Sequence, residues 1–262
     1  MDSRLHGNDI PGNPHNNGCL WKPALKNRSN SVNNKTSMQV SATFLVITSL
    51  FVTCLLITNI VAGRLVQVFG LTITADLFLF PITYIFGDIL TEVYGYRKSR
   101  ITIWLGFGAN FIMAIVFMSV IQLPAPGFWT DAAAYKTVLG FTPRIVAASL
   151  AAYLCGEFSN SMILSRLKIV TNGKYLWTRT IGSTLVGQAF DTGIFMMIAF
   201  WGVFPVEIFI SMTLTQYVWK VSYEAMATPF TYMIVGRIKK KDSCDTYDKG
   251  ISYNPFPGLF NS

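Results

Sequence analysis

Ionisable side chains inside apolar runs are the residues of this chain that could do chemistry. A charge at the centre of a bilayer costs about 2.5–3.5 kcal/mol, so each one kept there needs a partner, water or a ligand. Lys220 and Glu224 are four residues apart and can neutralise each other on one helix. Without Lys220, Asp191 would lack a cationic partner at its depth, so Lys220 can also be shared between carboxylates. Asp191 follows Ser183 and Gly187 at helical spacing, which predicts a face open to a ligand or a second helix. The candidates are Asp88, Glu92 just beyond the same run, Glu157, Asp191, Lys220 and Glu224.

Each candidate has two interpretations, an internal polar contact or a ligand contact. For Asp191, near the middle of its run, we favour a ligand, because secondary transporters commonly bind substrate near the midplane. For Glu92, close to Arg97 and Arg100, an interfacial salt bridge is the better interpretation. For Asp88, Glu157, Lys220 and Glu224 the two interpretations stay open.

Catalytic chemistry has little support in the sequence. Both histidines, His6 and His15, lie in the polar amino-terminal region, which removes histidine metal sites and Ser-His-Asp catalysis from the apolar part. No GxxxxGK[ST] phosphate-binding loop is present. We therefore predict no catalytic residue, no metal site and no cofactor, and a protein that is not an enzyme.

The composition of the chain indicates that membrane-spanning segments position these ionisable residues. Of the 262 residues, 52% are hydrophobic and 13% are charged, whereas a soluble domain has about 25% charged residues. The apolar residues form runs long enough to cross about 30 Å of hydrocarbon. The predicted spans are 44–62, 71–90, 101–123, 145–164, 181–204 and 208–235. The predicted fold is an all-α polytopic membrane protein with six transmembrane helices.

Orientation follows from the basic residues. Lys and Arg number 5, 3, 4 and 5 in the segments on one side of the predicted membrane and 1, 2 and 0 on the other. Basic segments stay in the cytoplasm, so both termini are predicted to be cytoplasmic. This topology accounts for the net charge of +8, and no nucleic-acid partner is needed. The predicted regions are a disordered cytoplasmic tail (1–43), a six-helix transmembrane domain (44–236) and a basic cytoplasmic tail (237–262).

Several segments together resemble one known family. They are Thr58-Asn59-Ile60, the stretch FPITYIFGDILTEVYGYR at 80–97, the run STLVGQAFDT at 183–192 with Ile198-Ala199-Phe200-Trp201, and Lys220 with Tyr223-Glu224. The set, over about residues 44–240, is similar to the bacterial queuosine precursor transporter family, also described as vitamin-uptake-like. The resemblance implies import of 7-deazaguanine bases, the cyano or the aminomethyl form, across the inner membrane for tRNA modification salvage.

The resemblance also suggests site residues and partners. The candidate substrate-binding residues are Asn59, Tyr84, Asp88, Glu157, Gln188, Asp191, Lys220 and Glu224. The expected partners are the substrate base and the lipid bilayer, with a homo-oligomer or a coupling subunit left open. Two alternatives are import of another vitamin or nucleobase, including as the substrate-binding subunit of an energy-coupling-factor system, and a structural role in the membrane.

Overall fold

The computed structural model describes residues 41–62, 64–68, 71–140 and 143–256. Almost all of the predicted amino-terminal tail, 1–43, therefore lies outside the described residues. The helices are α1 (Ala42–Val61), α2 (Phe80–Tyr94), α3 (Tyr96–Val120), α4 (Ala132–Leu139), α5 (Pro143–Val170), α6 (Leu176–Phe200) and α7 (Val206–Asp242). Two short strands, β1 (Leu65–Val68) and β2 (Leu71–Thr74), and a 3₁₀ helix (Ala75–Phe78) precede α2.

Four helical stretches of the described residues are long and apolar enough to cross a membrane: α1, α3, the stretch containing α5, and α6. Their outer faces carry large exposed apolar side chains, such as Ile112 at 63% and Leu105 at 54% exposure. Polar side chains are buried inside, which suits a protein whose surrounding solvent is lipid. The predicted all-α membrane class is confirmed.

Residues 71–90, predicted as one transmembrane helix, are not α-helical in their first half. Residues 71–74 form β2, which pairs antiparallel with β1 so that Leu65 lies opposite Thr74. The β-branched residues Thr72, Ile73 and Thr74 favour a strand over a helix. The helix begins only at Phe80, where Pro81 occupies the first turn. At 15 residues, α2 rises about 22 Å, less than the thickness of the hydrocarbon.

Close packing of α5 against α6 depends on two glycines. A Cβ atom on Gly156 would lie 2.8 Å from the Cβ of Asp191, and one on Gly187 would lie 2.8 Å from the Cβ of Asn160. Real Cβ atoms do not approach this closely, so the two helices need glycine at both positions. The face of α6 that was expected to be open to a ligand or a second helix therefore packs against α5 at Gly187.

The carboxyl-terminal segment folds back onto the helix ends. Helix α7 continues past the predicted domain boundary at 236 to Asp242. Beyond it, the buried carboxylate of Asp248 accepts hydrogen bonds from the backbone N–H of Tyr96 at 2.7 Å and from Ser165 Oγ at 2.6 Å. The segment thereby joins the start of α3 to α5.

Candidate substrate site

Four helices turn polar side chains toward one point in the interior. Their spacing of three or four residues puts each set on one helix face. Every member is at most 5% exposed. The central cluster, as we name it, consists of Tyr84 and Asp88 from α2, Glu157 and Asn160 from α5, Thr184, Gln188 and Asp191 from α6, and Lys220 and Glu224 from α7.

Lys220 pairs with a carboxylate on the neighbouring helix rather than with the glutamate on its own. Its Nζ atom lies 2.8 Å from Asp191 Oδ2 and 4.0 Å from the centre of the Phe80 ring. Glu224 instead accepts a hydrogen bond from Thr184 Oγ1 at 2.5 Å. Of the two central-cluster residues on α7, Lys220 is therefore already compensated by α6.

Asp88 lies between an amide and a second acid. Asn160 Nδ2 donates to Asp88 Oδ1 at 2.7 Å. The other oxygen, Oδ2, has no hydrogen-bond partner among the described residues, and the carboxyl group of Glu224 acts on Asp88 electrostatically. Two carboxylates carry no donor, so Asp88 and Glu224 can hydrogen-bond to each other only when one of the pair holds a proton.

Buried polar atoms that have no hydrogen-bond partner within the described part of the chain are concentrated in this cluster. They are Tyr84 Oη, Asp88 Oδ2, both Glu157 carboxyl oxygens, Asn160 Oδ1, both side-chain amide atoms of Gln188, and Glu224 Oε2. Each such group costs about 1–3 kcal/mol when it stays unpaired. A concentration of them at one place indicates that a ligand or water completes the hydrogen bonds.

Tyr84 reaches deep between α5 and α6. A Cβ on Gly156 would lie only 2.6 Å from its hydroxyl oxygen. The Tyr84 ring is also 5.4 Å from the ring of Phe80. Because Gly156 has no side chain, the Tyr84 hydroxyl fits next to Asp191.

Seven of the eight candidate residues lie together in the central cluster. The eighth, Asn59, hydrogen-bonds elsewhere. Asn59 is half-buried on α1 and donates to Asn110 Oδ1 of α3 at 2.7 Å and to the carbonyl of Leu55 at 3.1 Å. The bond to Asn110 joins α1 to α3.

Sequence reasoning left Phe80, Asn160 and Thr184 out of the candidate set. Each has a positional signal, because Phe80 precedes Tyr84 by four residues, Asn160 follows Glu157 by three and Thr184 precedes Gln188 by four. Residues at these spacings share a helix face with a candidate already chosen.

A second charged group, the ion-pair network, lies one turn further along α2. Glu92 Oε1 is 2.9 Å from Arg179, 2.7 Å from Lys239 and 3.5 Å from Lys168. Asp245 contacts Lys168 at 2.5 Å and Lys239 at 2.9 Å. The predicted salt bridge at Glu92 is therefore confirmed, with partners on α5, α6 and α7 in place of Arg97 and Arg100.

Asp245 is the one acid of this network that belongs to the carboxyl-terminal segment. Partial burial acts to raise the pKa of Asp245, but the ammonium groups of Lys168 and Lys239 outweigh it. The pKa of Asp245 therefore lies below its ordinary value, and the carboxylate is charged at neutral pH.

The described ranges hold no group of three or more His, Cys, Asp or Glu side chains arranged for a metal ion. The chemistry that the central cluster offers is recognition. Carboxylates accept N–H donors, amides both donate and accept, and aromatic rings cover planar groups.

Comparison with known proteins gives a family and two relatives. The family model described as "Putative vitamin uptake transporter" matches residues 74–234. A Bacillus subtilis (strain 168) protein named "Probable queuosine precursor transporter" is 29% identical over 175 residues, 66% of this chain and 76% of that protein. The "Queuosine precursor transporter" of Escherichia coli (strain K12) is 27% identical over 159 residues, 60% of this chain and 69% of that protein. No solved structure gave a significant match.

The matched region covers more than half of the chain and contains α2, α5 and α6 with most of α7. Every residue of the central cluster lies within it. This chain is therefore a member of the vitamin uptake transporter family.

Proposed function

We propose that this protein imports queuosine precursors, the 7-deazaguanine bases, across the bacterial inner membrane for salvage in tRNA modification. The observation that carries the proposal is the set of buried, unpaired polar atoms contributed by four helices. The names of the two relatives support the choice of substrate.

The groups of the central cluster suit a guanine-like base. The edge of such a base presents adjacent N–H donors and a carbonyl acceptor. Carboxylates such as Asp88 and Glu224 accept paired N–H groups, and the Gln188 amide can donate to the carbonyl. Phe80 and Tyr84 supply aromatic rings at the same place, and planar heterocycles stack on such rings.

The cluster is closed in this conformation, because its members are almost fully buried. A base can enter only when the helices separate, as in a carrier that alternates between two access states. The α5 and α6 faces pack through glycine, so movement of α2 and α7 relative to this pair is the simplest way to open the site.

The proposal includes six crossings with both termini in the cytoplasm. In it, β1, β2, the 3₁₀ helix and α2 together make the second crossing, and α7 makes the sixth. The ion-pair network then lies on the cytoplasmic side, with the basic connections. Alkaline phosphatase fused at Trp129 or Phe204 should be active, and a fusion after Phe256 inactive; the reverse pattern would refute this topology.

The transport test uses a strain that neither makes queuosine precursors nor imports them at low concentration. Wild-type chain should restore queuosine in tRNA when either base is supplied at a limiting level. Asp191→Ala should fail to restore it. Because this variant leaves Lys220 buried without its partner, Asp191→Ala/Lys220→Met is measured in parallel and should insert at comparable abundance and fail as well, with the exposed Glu207→Ala as the control.

Failure of well-inserted wild-type protein to restore queuosine with either base would refute the substrate assignment. Restoration in a host without energy-coupling-factor ATPases supports a stand-alone carrier. Loss of the inserted protein in both the single and the double variant would favour the structural interpretation of Asp191.

A further inference from the structure

Glu157 is the least compensated group of the central cluster. Glu157 is 1% exposed, and neither of its carboxyl oxygens has a hydrogen-bond partner among the residues that the structure describes. Its neighbours on the same face of α5 are bonded, since Tyr153 donates to the carbonyl of Ile103 at 3.0 Å and Asn160 donates to Asp88 at 2.7 Å. The fold therefore supplies acceptors to the donors one turn away on α5, and among the described residues it supplies no donor to Glu157.

The charged groups around Glu157 repel rather than stabilise it. Asp88 from α2, Asp191 from α6 and Glu224 from α7 act on it electrostatically, and all three are acids. Lys220, the cation of the central cluster, is engaged by Asp191 and the Phe80 ring. The cluster as a whole holds four carboxyl groups and one ammonium group, so a positively charged ligand improves its charge balance.

Neutral groups of the central cluster are also unpaired. Gln188 is fully buried, and both polar atoms of its side-chain amide lack partners among the described residues, as does the Tyr84 hydroxyl. The backbone of Gly87 lies against the Glu157 carboxylate, so that a Cβ there would be 3.0 Å from Oε2. An uncharged heterocycle can use Gln188 and Tyr84, which leaves Glu157 for a group that carries charge.

We propose that Glu157 determines substrate preference by accepting the ammonium group of a cationic ligand, so that the site binds the aminomethyl base more tightly than the cyano base. This inference rests on the proposed function. An alkylamine resembles the lysine side chain, whose pKa of about 10.4 keeps it protonated at neutral pH. A nitrile has no donor to offer a carboxylate, so the cyano base leaves Glu157 unpaired.

The test measures the dissociation constants of both bases for the purified full-length chain in detergent. Binding is used because it does not depend on the energy source of transport. The wild-type protein should bind the aminomethyl base at least about tenfold more tightly than the cyano base. In Glu157→Gln this ratio should fall by about tenfold, while the affinity for the cyano base changes less than about threefold.

Two further variants separate charge from fold. Glu157→Asp keeps the negative charge and should retain a preference for the aminomethyl base. Glu207→Gln removes an exposed glutamate at the start of α7 and should leave both affinities unchanged. The melting temperature of each variant in detergent establishes that it is folded.

The outcomes separate this inference from the function on which it rests. If wild-type protein binds both bases and Glu157→Gln leaves their ratio unchanged, the role of Glu157 is refuted and the proposed function stands. If wild-type protein binds neither base, the proposed function is refuted and this inference with it. A preference for the aminomethyl base that Glu157→Gln abolishes and Glu157→Asp retains would support the assignment.

Discussion

Two acidic residues one helical turn apart on α2 have opposite surroundings. Asp88 and Glu92 are each 1% exposed. Glu92 Oε1 lies within 3.5 Å of nitrogen atoms from Lys168, Arg179 and Lys239, whereas Asp88 receives one amide hydrogen bond and faces another acid. Burial alone therefore does not distinguish a structural carboxylate from a functional one.

Charge compensation makes the distinction. The ion-pair network links α2, α5, α6 and α7 to the carboxyl-terminal segment, so it stabilises the arrangement of the helices. The central cluster uses the same four helices and leaves acids and amides unpaired. The structure places three basic side chains at Glu92 and, within the described ranges, no ion-pair partner at Asp88, as the ligand site that we propose there requires.

The largest expected effect is that of neutralising Glu92. Glu92→Gln leaves Lys168, Arg179 and Lys239 without the carboxylate that they share. Removing one partner of a buried ion pair costs about 3–5 kcal/mol, so we expect folded protein in the membrane and the melting temperature in detergent to fall. A variant that keeps its abundance and melting temperature but loses uptake would instead place Glu92 in the substrate site.

The matched change at Asp88 should act on binding rather than on folding. In Asp88→Asn the amide oxygen still accepts from Asn160, and the new N–H group can donate to Glu224. Hydrogen bonds to a charged group contribute about 1.5–3 kcal/mol, so we expect uptake to fall about ten- to hundredfold at normal abundance. A fall in folded protein equal to that of Glu92→Gln would remove the contrast between the two positions.

The glycine contact beneath the central cluster should be sensitive to one methyl group. Gly156→Ala places a Cβ 2.8 Å from the Cβ of Asp191 and 2.6 Å from the Tyr84 hydroxyl. Overpacking of this kind costs about 1–3 kcal/mol, which should lower the melting temperature. Gly193→Ala on α6 is the control and should not lower it, because beyond its chain neighbours and the backbone of its own helix the new methyl meets no described atom within 4 Å. Equal losses in both variants would contradict the packing argument.

The smallest expected effect is a pH-dependent one in the ion-pair network. Because the pKa of Asp245 lies below its ordinary value, its stabilising contribution is complete above about pH 3.9 and is lost as the pH falls through the lowered folded-state pKa. With 42% of this side chain exposed, the contribution is about 1 kcal/mol or less. The melting temperature of wild type should exceed that of Asp245→Asn at pH 7.

The two melting temperatures should converge below about pH 3.9. Asp131→Asn, which changes an exposed aspartate before α4, is the control and should match wild type at both pH values. A difference between wild type and Asp245→Asn that persists in acid would show that the carboxylate charge is not its source.

The residues that share a helix face could be predicted from the sequence wherever they recur at helical spacing. Ser183, Gly187 and Asp191 were expected to share a face, and the structure packs Gly187 against Asn160 while Asp191 binds Lys220. The region before α2 could not be predicted in this way. Its apolar run has the length of a membrane span, but β-branched residues direct its first part into a hairpin.

Partners were harder to predict than faces, because sequence spacing describes neighbours only within one helix. The i,i+4 spacing of Lys220 and Glu224 allows them to pair, yet Lys220 binds Asp191 across the helix interface. Asn59 has the residue type of a site residue, but it donates to Leu55 within α1 and to Asn110 on α3. Residues that meet across an interface depend on helix rotation and crossing, which the sequence pattern leaves open.

The sequence by itself determined that this is an all-α membrane protein, because the length of an apolar run is a local property. It also identified the ionisable residues inside these runs, because the cost of burying a charge in lipid depends on the residue type. The family could also be recognised from its segments. Only the tertiary structure decided which charges are compensated: three basic residues from three helices meet at Glu92, and none of them reaches Glu157. That difference arises from the packing of separate helices, since an ion pair depends on distances between elements and not on their order along the chain.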